Sequence, residues 1–158
     1  MNKKHYIGVE LVSAEPMIRK EAIESGYFKA DLSDLGEEAD DEGYLVDYGN
    51  YKEWATKDRF DNNYLAIEDS TKISFSDVES FIVQGTSTKL GEKTTVVLDT
   101  TITGFDTLGT SACVDPANYD QEIGNEIARR DITNKIWGHL GFVLQWAKNG
   151  LKAKSNND

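Results

Sequence analysis

The run Thr94-Thr95-Val96-Val97-Leu98-Asp99-Thr100-Thr101-Ile102 constrains the fold more than any other stretch of the chain. Seven of its nine residues are β-branched, which suits the pleated surface of a strand better than a helix. Alternation places Val96, Leu98 and Ile102 on one face, predicted to meet the core. Thr103-Gly104 follows as a turn, and Phe105 to Val114 reads as the returning strand of a hairpin. A helix is predicted on each side. Ser74 and Asp77 have the spacing of a capping box, with Ile73 and Val78 as the hydrophobic staple. Val78, Phe81 and Ile82 form an i, i+3, i+4 stripe, and Gly85 is the expected stop. Beyond the hairpin, Asp115 caps a second helix with Pro116 at its first position. That helix is expected to run to about Trp137, where Gly138 interrupts it. Residues 139–148 then form a further turn or short helix, and the polar tail from Leu151 frays.

The first 70 residues read differently. Tyr6 to Leu11 alternates, with Ile7, Val9 and Leu11 on one face, and Pro16 closes that strand because it lacks a donor. Residues 18–43 form a long loop with a short helix near Arg19–Ser25 and an acidic centre, Glu37-Glu38-Ala39-Asp40-Asp41-Glu42. Gly49-Asn50 joins Tyr44–Tyr48 to Tyr51–Trp54 as a two-residue hairpin. Thr56 caps a short helix carrying Phe60 and Tyr64. The fold class is therefore α+β: a small N-terminal antiparallel β unit (1–70), a C-terminal helix–β-hairpin–long helix unit (71–150), and a tail (151–158).

Composition removes several functions. The 158 residues carry 28 acidic and 17 basic side chains, a formal net charge of −11. Residues 1–70 hold 17 of the acids and 8 of the bases. Such a surface repels phosphate backbones, which excludes general nucleic-acid binding. One cysteine, Cys113, and two histidines exclude an internal disulfide and a cysteine or histidine metal cage. No apolar run of membrane-spanning length occurs, so the chain is expected to be soluble, without a membrane partner. No nucleophile motif, phosphate loop or dinucleotide fingerprint is present, so no cofactor and no catalysis are expected. The acidic run reads as a solvated loop rather than a calcium loop, since it lacks the alternating ligands and glycine.

The long helix carries the features that point to binding. Arg129, Arg130 and Lys135 stand out in an acidic chain, although Glu126–Arg130 and Asp131–Lys135 are spaced for i, i+4 pairing. Tyr119, Ile123 and Ile127 share one helix face, whereas Ala128, Ile132 and Ile136 share nearly the opposite one. Either the helix is sandwiched, or one stripe meets a second subunit; a homo-oligomer is expected. Gly124 and Ala128 would permit close helix packing in both cases.

The ordered string Val96-Val97-Leu98, Gly104-Phe105 and Gly109-Thr110-Ser111-Ala112-Cys113-Val114-Asp115-Pro116 continues through Asn118-Tyr119 to Gly124. Ile127-Ala128-Arg129, Lys135-Ile136-Trp137 and Leu140-Gly141-Phe142 follow. Together with Asp77-Val78-Glu79, this resembles the phage protein family named after gene 49 and gene 66 of two podophages, over about residues 73–147. The resemblance implies a viral origin and carries no reaction with it. Tyr6-Ile7-Gly8, Gly43-Tyr44-Leu45-Val46, Tyr48, Trp54, Phe60 and Tyr64 resemble a small phage module. Such modules have Ser-Pro after the tryptophan, where this chain has Ala55-Thr56. They are joined to other phage domains, including ones similar to anti-defence proteins that hold nucleotide signals. The expectation is a phage accessory protein in the host cytoplasm that sequesters an anionic, cyclic nucleotide. Its ligand residues are Arg129, Arg130, Lys135, Asn118, Tyr119 and Phe105. The alternatives are an acidic inhibitor or DNA mimic that docks on a basic host protein through the 37–42 run, or an assembly component.

Overall fold

The computed structural model describes residues 3–30 and 36–152, and the chain divides into two units, Met1–Ala66 and Ile67–Asp158. Residues 31–35 of the expected loop and the tail beyond residue 152 lie outside the described residues. The architecture is α+β, with one three-stranded antiparallel sheet in each unit.

In the first unit the sheet order is β1 (Ser13–Pro16), β2 (Gly43–Asp47), β3 (Lys52–Thr56). The hairpin reads as expected. Tyr48 N–H donates to the Tyr51 carbonyl at 3.0 Å around Gly49, whose φ of 90° suits the first central position of a two-residue turn. Helix α1 (Arg19–Glu24) and a 3₁₀ turn (Gly36–Asp40) precede β2, and α2 (Lys57–Asp61) follows β3. Thr56 Oγ1 accepts the Arg59 N–H, the predicted cap. The first strand is a correction. Residues 6–11 form no strand, Ile7 is 79% exposed, and pairing with β2 begins at Ser13. Alternation in Tyr6–Leu11 lacked the partner backbone that a strand requires. Pro16 is the last residue of an edge strand, where its missing donor costs nothing. Ala22, Leu45, Val46, Trp54 and Ala55 are buried.

The second unit runs α3 (Phe75–Phe81), β4 (Ile82–Leu90), β5 (Thr94–Thr101), β6 (Asp106–Ala112), a 3₁₀ turn (Pro116–Asn118) and α4 (Gln121–Asn149). The capping box forms as expected: Ser74 Oγ accepts the Asp77 N–H at 3.1 Å and Asp77 Oδ2 accepts the Ser74 N–H at 2.8 Å. Helix α3 nevertheless ends at Phe81 and not at Gly85. Residues 82–90 form a third strand, so the predicted hairpin is the inner part of a three-stranded sheet, β4-β5-β6. Gly85 sits in a bulge between Val83 and Thr86, where a Cβ would lie 2.1 Å from the Leu98 carbonyl oxygen. Polar residues hid this strand because it is an edge, exposed along most of its length.

The core face of β5 is also the reverse of the expected one. Thr95, Val97, Asp99 and Thr101 are buried, whereas Leu98 and Ile102 are exposed and Val96 is half-buried. The reason is the helix. Gly124 abuts Thr95, and Gly109 lies directly under Ala128, with a Cβ there only 2.0 Å from the Ala128 carbonyl oxygen. Small residues let α4 lie close on this face, and threonines fit beneath it where larger side chains would not. Gly124, Ala128, Ile132, Ile136, Leu140 and Leu144 form the buried stripe.

Helix α4 differs from its predicted limits at both ends. Asp115 caps only the 3₁₀ turn, and Asp120 caps α4 by accepting the Glu122 and Ile123 N–H groups at 2.9 and 3.0 Å. The helix then continues through Gly138 and Gly141 to Asn149. A helical glycine costs about 1 kcal/mol, less than the burial of the leucines that follow it. No helix among the described residues is long and apolar enough to cross a membrane.

Candidate functional site

The three helix cations reach carboxylates rather than a common opening. Arg129 Nη1 lies 2.9 and 3.1 Å from the two oxygens of Asp99, which is buried beneath the helix. Arg130 pairs with Glu126 at 2.9 Å on the exposed side. Lys135 Nζ donates to Asp131 at 2.7 Å and to the Leu108 carbonyl at 2.8 Å, toward β6. Both i, i+4 pairs are those the spacing allows. The Asp99 pair was missed, yet it left a signal. An aspartate inside a β-branched strand is disfavoured and calls for a buried cation.

The two aromatic candidates are also far apart. Phe105, in the β5–β6 turn, meets His139 edge-on at 5.9 Å. Tyr119 precedes α4 and lies against β4 and β5. About 27 Å of helix rise separates these ends. Phe105 therefore does not meet Asn118 and Tyr119 within one chain, while Arg129 and Arg130 stand about 12–14 Å and Lys135 about 21 Å along the helix from its start, each already paired with a carboxylate.

At the Tyr119 end a different set does converge. Lys89 Nζ sits 4.1 Å from the centre of the Tyr119 ring, and Lys89 forms no ion pair among the described residues. Thr95 and Tyr119 hydroxyls meet at 3.0 Å, and the Tyr119 hydroxyl donates to Gln121 Oε1. Gln121 Nε2 donates to Ser87 Oγ at 3.0 Å and to Asn125 Oδ1 at 2.9 Å, while Ser87 Oγ donates to Asn125 Oδ1. Asn118 is exposed beside this network. Ser87 and Lys89 lie on the face of β4 turned to α4, opposite Val97 and Thr95. Their role follows only once residues 82–90 are read as a strand.

Cys113 lies just past β6, half-buried, with Sγ 3.1 Å from the Asp115 carbonyl oxygen. Trp137 is 38% exposed and donates from Nε1 to the Ile73 carbonyl at 3.1 Å.

In the first unit, the described carboxylates of the acidic run are exposed, as expected of a solvated segment, and two of them are also ion-paired. Arg19, its side chain 15% exposed, pairs with Glu38 and Asp41 at 2.8 Å each. Its guanidinium also lies 5.4 Å from the Trp54 ring centre and 5.9 Å from that of Phe28. The tyrosines pack among themselves: Tyr44 on Phe60 at 4.4 Å, Phe60 on Tyr64 at 4.8 Å, and Tyr48 on Tyr51 at 4.7 Å. Trp54 is buried at the side of Gly43, where a Cβ would fall 2.5 Å from its ring. Burial first, then the neighbouring Tyr48 hydroxyl, push the Tyr64 phenol above its ordinary pKa.

No curated protein and no solved structure matches the chain. One family model matches residues 62–147, more than half of the chain and every strand and helix of the second unit but the last two residues of α4. The opening capping box, the Gly109–Ala128 approach and the Tyr119 network all fall within that span. The chain belongs to the Phage protein (N4 Gp49/phage Sf6 gene 66) family.

Proposed function

We propose that this phage-family protein is an accessory protein that acts in the infected host by binding rather than by catalysis. Its ligand is an anionic nucleotide signal, a cyclic one in the counter-defence reading. The observation that supports this reading is the Lys89 ammonium held over the Tyr119 ring without a carboxylate partner among the described residues. A phosphate can take that ammonium at little cost, since no ion pair has to break. The exposed Asn118 amide and Asn125 Nδ2, the amide nitrogen that the Gln121–Ser87 network does not use, offer hydrogen-bonding groups to a base edge. Arg129, Arg130 and Lys135 would each have to leave a carboxylate first, so the site shifts to the Lys89–Tyr119 end.

The test is a thermal-shift screen against cyclic dinucleotides, cyclic trinucleotides and cyclic ADP-ribose isomers. A ligand at a hundredfold excess over its dissociation constant adds about 2.7 kcal/mol. The expected result is a selective shift that Lys89→Ala abolishes while the unliganded melting temperature stays put. A shift that survives Lys89→Ala moves the site elsewhere, and a flat panel overturns the reading.

A second reading rests on a separate observation. Arg19 fixes the 36–40 turn through Glu38 and Asp41, so the acidic run is presented in one geometry, as an inhibitor of a basic host protein would need. Neutralising Asp40 and Glu42 would then abolish partner capture and leave nucleotide binding unchanged.

A further inference from the structure

The second unit has its polarity reversed across the sheet. The face under α4 buries Thr95, Asp99, Thr101 and Thr107, with Val97 the one fully buried apolar side chain of the strands there. The opposite face carries Val83, Leu90, Leu98 and Leu108, which are 51%, 64%, 37% and 54% exposed. Register places these side chains in adjacent rows: Leu98 lies between Thr86 and Leu108, and Val96 between Thr88 and Thr110. Of the twelve outward positions on the three strands, Asp106 alone is charged, and it accepts a hydrogen bond from Thr100 at 2.7 Å. In a chain where 28% of residues are charged, that is an unusual face.

We propose that this outer sheet face is the interface of a homodimer. The charge pattern selects the occupant. A two-fold interface brings a patch against its own copy, so charges on it meet their like near the axis. A face almost without charge satisfies that condition. A basic host protein, steered by a net charge of −11, would instead need carboxylates at the contact, and this face offers one. Pairing also covers Leu98 and Leu108, which the single chain leaves 37% and 54% exposed. Strand spacing and rise give the face a footprint of roughly 400 Å² per copy, against about 800 Å² for a standard stable interface. The dimer is therefore reversible, and repulsion between two acidic copies weakens it further at low salt.

Sedimentation of the full chain from roughly 1 μM to 1 mM, the range in which small interfaces dissociate, tests this. The expected result is a monomer–dimer equilibrium that strengthens with salt. Leu108→Lys raises the dissociation constant at least about tenfold, and mixing it with Leu108→Glu restores a mixed dimer. Ile127→Lys, on the exposed side of α4, leaves the equilibrium unchanged. Circular dichroism melts verify folding, and Thr110→Lys replaces Leu108→Lys if that variant fails to fold. A monomer across the whole range overturns the proposal. So does a dimer indifferent to both lysine substitutions, or one dissociated by Ile127→Lys. None of these outcomes depends on the nucleotide reading, which the Lys89→Ala melt decides separately.

Discussion

Arg129 and Asp99 form a clamp between helix and sheet, with one guanidinium nitrogen 2.9 and 3.1 Å from the two carboxylate oxygens. Asp99 is 2% exposed, and its Oδ1 also accepts the Gly85 N–H at 2.8 Å from the bulged edge strand. One carboxylate thus ties α4, β5 and β4 together. Arg129→Ala leaves that charge buried with a single donor, at a cost of about 3 kcal/mol. Arg130→Ala removes an exposed pair and is expected to change stability by less than about 0.5 kcal/mol. Urea denaturation of the two variants checks this; equal midpoints would show that the clamp does not hold the helix. Any loss of ligand binding in Arg129→Ala must be corrected for this destabilisation.

What was legible in the sequence follows from what each signal reports. Caps and turns are local, so Ser74–Asp77, Thr56, Gly49-Asn50 and Thr103-Gly104 were readable residue by residue. Strand pairing is not local, and residues 6–11 show it: good alternation finds no partner there, while Ser13–Pro16, with no apolar residue larger than proline, pairs with β2. On β5 hydrophobicity does not report burial. Close approach of α4 at Gly109 and Gly124 sets the buried face by size instead. Charge and ring type mark five of the six candidate ligand residues, and Asn118 marks a helix start; none of these local signals reports how far apart the helix laid on the sheet sets them.

Glycine positions give a sharp contrast. At Gly109 an added Cβ would meet Ala128 backbone atoms at 2.0 and 2.9 Å, so the helix must lift off the sheet. Gly109→Ala is expected to cost more than about 3 kcal/mol. At Gly138 nothing lies within 4 Å, and the residue is inside a helix. Gly138→Ala is expected to stabilise by about 0.5–1 kcal/mol. Thermal melts of the two variants should move in opposite directions. A Gly109→Ala melt like that of the parent would mean the helix does not sit this close.

Arg19 is the structural centre of the acidic turn. Its planar guanidinium meets two carboxylates while lying against Trp54 and Phe28. Lysine offers one compact charge and no plane, so Arg19→Lys should not substitute for it. Both Arg19→Ala and Arg19→Lys are expected to destabilise the first unit by about 1–2 kcal/mol. Limited proteolysis provides the local readout: cleavage within residues 36–42 should accelerate in both variants. Unchanged cleavage in Arg19→Lys would mean that charge alone holds the turn.

Tyr64 makes the first unit sensitive to alkali. Its ring stacks on Phe60 at 4.8 Å, and its hydroxyl donates to Glu10 Oε2 at 3.2 Å. Burial and the adjacent Tyr48 hydroxyl raise its pKa above the ordinary 10.0. The folded state therefore keeps a proton that the unfolded chain releases. Stability from this group is complete below about pH 10 and falls as pH rises through the folded pKa. Denaturant titrations between about pH 8 and pH 11 should show the parent losing stability above pH 10. Tyr64→Phe, less stable at neutral pH without the Glu10 bond, should lose less with each added pH unit. Equal slopes for the two proteins would place the alkaline sensitivity on another group.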